Sequence, residues 1–351
     1  MFFYNNLILI ENSLGNLHLF TLDDGIIMEY YFENKKNRVD KIKRSEDVLI
    51  EYDVSIDCED NIYIIYQDKN YNVILMIIKG EEVKKIILTE EPMPEIYNLD
   101  LKIIDGKPHI FYCVLLSDIN KEYRIVHHYF NGKQWLTHIV QDIRINQVLN
   151  PVKILEYKEE LILIYCDYKK TEEIYCNKFK LTGDKWTNQY QLTSNLSPKL
   201  YLDSLFIKDK LHLIYCEYQE NLVVKYERYK YDNDFIKKEI EQELSNWENI
   251  NWPTLIYFEN ILWVIWAECE NIMSRYSLDN GENWSPIYLW KDFKYEDIVR
   301  YKYITKNKTD NIINYSFGTI KFDISFIGFG SLSNTIEIPL KKKMGWDYNT
   351  K

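Results

Sequence analysis

Apolar and polar positions alternate along most of this chain in short runs, each bounded by a turn signal such as Gly-Asn, Asp-Asn or Asp-Lys. A two-residue period puts alternate side chains on opposite faces of an extended backbone, so the pattern predicts half-buried β-strands rather than helices. One segment recurs: a turn, a short alternating strand and a closing aromatic. Its copies are Gly15 to Phe20 (GNLHLF), Asp60 to Tyr66 (DNIYIIY), Gly106 to Tyr112 (GKPHIFY), Glu159 to Tyr165 (EELILIY), Asp209 to Tyr215 (DKLHLIY), Glu259 to Trp266 (ENILWVIW) and Thr309 to Tyr315 (TDNIINY). The closing aromatics are 46, 46, 53, 50, 51 and 49 residues apart.

A second column has the same period. Trp135, Trp186, Phe235 and Trp284 are spaced 51, 49 and 49, each about twenty residues after its strand's aromatic. Each period holds four runs of strand length, which is the content of one blade of a β-propeller; helical repeats would show a 3.6 period instead. The expected fold is all-β: a seven-bladed β-propeller of four-stranded antiparallel blades, with six blades as the alternative. It spans residues 1–339 as a single domain and leaves 340–351 as a C-terminal tail or linker. Radial closure leaves few exposed strand edges. Ile236, Ile240, Leu244 and Trp247 are near helical spacing and predict a short helix after a truncated outer strand.

With 351 residues, 46% of them hydrophobic, the chain can fill a core. Its net charge of −11, with Lys and Arg scattered among 54 acidic residues, gives no basic stripe, and no nucleic-acid partner is expected. The thirty tyrosines follow from a composition rich in Ile, Asn and Lys as readily as from sugar-stacking platforms. Neither a signal peptide nor an apolar run of spanning length is present, so the expected location is cytoplasmic without membrane insertion; cell- or spore-surface association stays open. Of the six cysteines, Cys113, Cys166 and Cys216 each follow the closing aromatic of a repeat and read as small buried hydrophobes rather than disulfide partners. A phosphate-cradling glycine loop, a Cys-x-x-Cys pair and a nucleophile elbow are all lacking, so no cofactor and no metal are expected.

Ser277 to Trp284 reads SLDNGENW, a full match to Ser/Thr-x-Asp-x-Gly-x-x-Trp. Asp279 can accept backbone N–H bonds across the turn, Gly281 supplies a positive φ and Trp284 buries a large ring. On these residues, with GKQW (132–135) and GDKW (183–186) as degenerate copies, the chain resembles the BNR/Asp-box propellers, the superfamily that includes the sialidases. The resemblance implies that Ser277, Asp279, Gly281 and Trp284 are structural, in the turn joining third and fourth strands, away from the active-site face. Sialidase chemistry would further need an arginine cluster, a tyrosine nucleophile with a glutamate partner and an aspartate acid/base. The Phe/Tyr-Arg-Ile-Pro motif that accompanies them does not precede the first blade; the nearest string, YRIV at 123–126, lacks the proline.

Two residues beyond the closing aromatic stand Asp68, Asp167, Glu217 and Glu268, with Leu22, Val114 and Phe317 in the other copies. If the recurring strand is the second of its blade, these carboxylates gather at one mouth, where they can bind a divalent cation through oxygen ligands, meet sugar hydroxyls, act as a hydrolytic pair or simply end strands at solvent. Prolines 92, 94, 151, 198 and 253 stiffen loops on the same face. Among these loops SNWENINWP, residues 245–253, offers Trp247, Asn249, Asn251 and Trp252 as a sugar platform that Tyr168 and Tyr218 can extend. The adjacent His127 and His128 point to opposite faces of a strand and suit packing rather than metal binding. The expected function is a non-catalytic binding scaffold presenting one face to a glycan or a protein partner. The alternative is a glycoside hydrolase of sialidase-like architecture using the mouth carboxylates.

Overall fold

The computed structural model describes residues 7–33, 39–232, 236–291, 298–307, 310–319 and 324–341. Among them no helix occurs, and so none is long and apolar enough to cross a membrane. The strands form six sheets. Sheets II (residues 48–87), III (96–144) and V (199–243) are four-stranded antiparallel meanders. Sheet IV (153–191) has its fourth position filled by two short strands, Lys185–Trp186 and Tyr190–Gln191. Sheet VI (250–290) gains an outermost strand, Thr335–Ile338, and the two-residue Ile312–Ile313 beside its first strand. Sheet I joins the meander of residues 7–45 to Val299–Thr305, Tyr315–Thr319 and Ser325–Ile327. Its join, Leu7–Glu11 beside Val299–Thr305, is the one parallel pairing among the described residues.

Six copies of the recurring segment are the second strands of their meanders, and outside sheet I burial on both faces overwrites the alternation: Leu211 to Cys216 are all buried, whereas only Leu19 and Phe20 are buried in Leu17–Asp23. The seventh copy departs. Ile312–Ile313 pairs with the first strand of sheet VI, while Tyr315 opens the strand that pairs with Val299–Thr305. The helix expected around Ile236 is instead the strand Ile236–Glu243, antiparallel to Leu222–Tyr231. Ile236, Lys238, Ile240 and Gln242 turn inward while Lys237, Glu239 and Glu241 are exposed, a two-residue period. Phe235 of the aromatic column and the tail beyond Lys341 lie outside the described residues.

The core is a series of apolar layers between successive sheets, such as the one where Phe111, Ile125, Leu163, Tyr165 and Phe179 meet between sheets III and IV. Cys113, Cys166 and Cys216 are buried free thiols within these layers, and burial pushes Cys113 up to about 12. His127 lies in the same region, stacked 4.3 Å from Phe111 and 4.6 Å from Tyr129, with Nε2 3.0 Å from His109 Nδ1. His128 points the other way, onto Trp135 at 5.0 Å. Burial lowers His109 and His128 to about 4 and, helped by the neighbouring histidines, His127 to about 2.

Candidate functional site

The first strands of sheets II, III and V, and Val299–Thr305 of sheet I, carry charged residues inside otherwise apolar runs: Glu51 and Asp53 in VLIEYDVSI, Asp100 and Lys102 in IYNLDLKII, Asp203 in KLYLDSLFI, Arg300 and Lys302 in VRYKYIT. They converge. Residues from all six sheets line a single cavity of about 230 Å³, sheet VI through Ile312 and Ile313. Its walls include Ser55, Asp100, Lys153 and Asp203 from the first strands of sheets II to V and Lys302 from Val299–Thr305, with Tyr315 reaching in from the strand beside Lys302.

The deep charges are paired within the wall. Lys302 Nζ lies 2.7 Å from Asp53 Oδ2 and 3.3 Å from Asp100 Oδ1. Lys153 Nζ lies 3.3 Å from Asp203 Oδ1. Burial alone would strip the proton from Lys302, but Asp100 and Asp53 outweigh it and hold the ammonium well above its ordinary range. Burial raises Asp53, so of the two carboxylates it is Asp100, faced also by Lys102 and Lys153, that keeps its charge more firmly and is lowered. The same carboxylates tie sheet to sheet: Leu101 N donates to Asp53 Oδ2 at 2.6 Å and Leu255 N to Asp203 Oδ2 at 3.0 Å. Tyr315 is held between two cations, with Lys153 Nζ 3.9 Å and the Arg300 guanidinium 4.1 Å from its ring centre.

The carboxylates expected at the mouth are each held by partners of their own. Asp68 closes its turn, accepting from Asn70 N at 3.0 Å and Asn72 N at 2.8 Å. Asp167 is buried and accepts from Arg144 N and from Gln189 Nε2. Glu217 accepts from Asn195 Nδ2 and Gln219 Nε2, and Asn195 Oδ1 in turn accepts from the fully buried Lys199 at 2.7 Å, which also pairs with Glu173 at 2.9 Å. Glu268 accepts from Trp266 Nε1 at 3.0 Å, and burial raises it. No hydrogen bond links any two of these four among the described residues.

The aromatic and amide candidates are distributed likewise. Trp252 takes a positive φ of 51° and packs 4.8 Å from Tyr201, with the Arg300 guanidinium 5.2 Å from its ring, so it caps the charged interior. Trp247 is half-buried, Asn249 exposed, and Asn251 pairs within the first strand of sheet VI. Tyr168 and Tyr218 close the second strands of sheets IV and V, Tyr218 half exposed with its N–H donating to Pro198 O.

Ser277 to Trp284 forms a tight turn between Asn271–Ser277 and Ile287–Trp290. Asn283 N and Nδ2 both donate to Asp279 at 2.8 Å, and Ser277 Oγ donates at 2.8 Å, which holds the exposed Asp279 at about 2. Gly281, at φ 87°, lies against Tyr226, and Trp284 packs edge-on against the same ring at 5.0 Å.

The charged interior was the part not anticipated. Its signal was present in the sequence as acidic and basic residues at alternate positions within strongly apolar strands, such as Glu51 and Asp53 or Arg300 and Lys302.

No protein-family model matches the chain, and no curated protein matches it. Similar solved structures are proteins of propeller fold. The SapL1 lectin in complex with α-methyl fucoside is 10% identical, with a TM-score of 0.46 over 81% of this chain and 95% of that one. An Aleuria aurantia lectin mutant, also with α-methyl-L-fucoside, is 10% identical, with a TM-score of 0.46 over 80% and 93%. The NanB sialidase from Streptococcus pneumoniae is 11% identical, with a TM-score of 0.44 over 92% and 85%. With identity below 25% and TM-scores below 0.5, no site or ligand of those proteins transfers to this chain by similarity.

Proposed function

We propose that the chain is a non-catalytic, seven-bladed β-propeller of the Asp-box kind, with sheet I supplying the first and last blades, and that its axial cavity binds a neutral polyhydroxylated ligand such as one residue of a glycan. The observation that carries the ligand class is the internal pairing of the cavity's deep charges, Lys302 with Asp53 and Asp100 and Lys153 with Asp203. A wall whose charges already neutralise each other offers no net attraction to a deep-seated ion, yet it presents a dense set of donors and acceptors, which suits hydroxyl groups. About 230 Å³ is below the roughly 300 to 1,000 Å³ of sites for drug-sized molecules, so a single sugar ring is the scale. The individually satisfied Asp68, Asp167, Glu217 and Glu268 favour binding over hydrolysis, since a glycosidase needs two carboxyl groups free to face one bond.

The test is ligand-observed NMR with a panel of neutral, anionic and cationic monosaccharides. Wild type should bind neutral sugars best, and Tyr315→Ala, which opens the space between Lys153 and Arg300, should weaken binding about tenfold, on the scale of one or two lost polar or stacking contacts. Loss with Trp247→Ala but not Tyr315→Ala would move the ligand to the 245–253 loop, and turnover of any chromogenic glycoside that Glu217→Gln abolishes would restore the hydrolase reading.

A further inference from the structure

A second cavity, of about 540 Å³, lies where the first and last parts of the chain meet. It adjoins the axial cavity across a shared wall of Tyr303, Thr305, Asn311 and Ile313 but differs from it in chemistry. Four aromatic rings run around it in contact: Tyr303 to Phe326 at 5.2 Å and 85°, Phe326 to Phe329 at 5.9 Å and 52°, Phe329 to Phe258 at 5.1 Å and 68°. Rings inclined in succession make a concave surface rather than a flat stack, with Phe326 38% exposed and Phe258, Tyr303 and Phe329 half-buried. Among the described residues lining this space, Glu11 alone is charged. Its carboxylate is fixed in the wall, accepting from the Tyr303 hydroxyl and from Asn307 Nδ2 at 3.1 Å.

We propose that this aromatic box, formed by Phe258, Tyr303, Phe326 and Phe329 with Glu11, binds a substituted ammonium ion. The negative faces of aromatic rings attract a cation, most strongly when the rings surround it and water is excluded. A carboxylate left among rings is poorly solvated unless a positive charge offsets it, and with two donors already supplied Glu11 retains lone pairs for a third partner. A neutral apolar ligand would gain the same ring contacts but leave Glu11 uncompensated. A small hydrated cation would lose more water than the rings return. The alkylated ammonium, weakly hydrated and of ring-contact size, satisfies both. This site goes beyond the polyol reading of the axial cavity and does not depend on it.

The experiment is isothermal titration of the full chain with choline and with 3,3-dimethylbutan-1-ol, which has the same shape without the charge. Choline should bind and the alcohol should bind at least about tenfold more weakly. Phe326→Leu, which keeps an apolar side chain at an exposed position but removes the ring, should weaken choline about 5- to 30-fold, and Glu11→Gln should weaken it similarly. A peptide carrying trimethyl-lysine, tested beside its unmethylated form, separates a free ammonium compound from one borne on a protein partner. Equal affinity for choline and its neutral counterpart would overturn the proposal. So would unchanged choline binding by Phe326→Leu whose thermal unfolding matches wild type.

Discussion

Replacing Lys302 by Met tests the charged interior most sharply, because it removes one ammonium from between two carboxylates while keeping the length of the side chain. Lys302 Nζ is 2.7 Å from Asp53 and 3.3 Å from Asp100, and Asp53 is 2% exposed. Breaking a buried pair from one side leaves an uncompensated charge and costs about 3 to 5 kcal/mol. The structure indicates how the protein would escape part of that cost: Asp53, already raised by burial, takes up a proton. Losing the Lys302 ammonium removes the main charge that opposes burial at Asp53, so its folded pKa rises further above its unfolded value. The sign follows. A carboxyl group whose folded pKa lies above its unfolded one destabilises at high pH and ceases to do so as pH falls through the folded value. Guanidinium unfolding of Lys302→Met should therefore show the full deficit at pH 8 and a clearly smaller one at pH 5. Adding Asp53→Asn should recover most of the loss at pH 8. Equal deficits at both pH values, or no recovery with Asp53→Asn, would refute the assignment of a buried, mutually compensating charge set.

Three further outcomes follow. Burial holds His109 and His128 at about 4, below the unfolded value of about 6.5, so each favours the unfolded state once protonation begins there. Their joint contribution should grow as pH drops below about 6.5 and level off near 4, by up to about 3 kcal/mol per histidine, while His127, held lower, continues to destabilise below that; His128→Phe should remove part of the slope, thermal melts between pH 7.5 and 4 read it, and superimposable wild-type and variant profiles would contradict it. Gly281→Ala places a methyl group into the Tyr226 ring at a φ of 87°, so it should cost at least about 2 kcal/mol, whereas Gly80→Ala, where a Cβ meets nothing, should cost only backbone strain of about 1 kcal/mol. Glu268→Gln, Asp167→Asn and Glu217→Gln should each leave sugar binding at the axial cavity within about twofold, checked by the same NMR titration, because each carboxylate is engaged by its own local partners.

Much of the fold was legible because the second strand of most sheets is buried on both sides and bounded by a fixed turn, so its sequence repeats with little freedom; Asp60 to Tyr66 and Asp209 to Tyr215 are nearly interchangeable. The strand Ile236–Glu243 was misread because Ile236, Ile240 and Leu244 are spaced by four, a spacing that satisfies a helix face and a strand face equally. The intervening Lys237, Glu239 and Glu241 carried the deciding parity. At the seventh copy, Ile312–Ile313 is drawn to the neighbouring sheet VI, a tertiary pairing that no local pattern encodes. The carboxylates two residues past each aromatic were found by column position, but position alone does not reveal that Asp68 closes its own turn or that Gln189 and Asn195 occupy Asp167 and Glu217. The charges of the first strands and of Val299–Thr305 were visible individually. Their pairing was not, because Lys302 and Asp53 are joined only when the two ends of the chain meet.

The most direct test of the axial-cavity reading is hydrogen exchange of the backbone with and without a saturating neutral sugar from the binding panel. Protection concentrated in residues 153–156 and 302–305, which line the cavity, is the predicted result. Protection confined to residues 245–253 and the strand ends at Tyr168 and Tyr218, with none along the cavity walls, would contradict it.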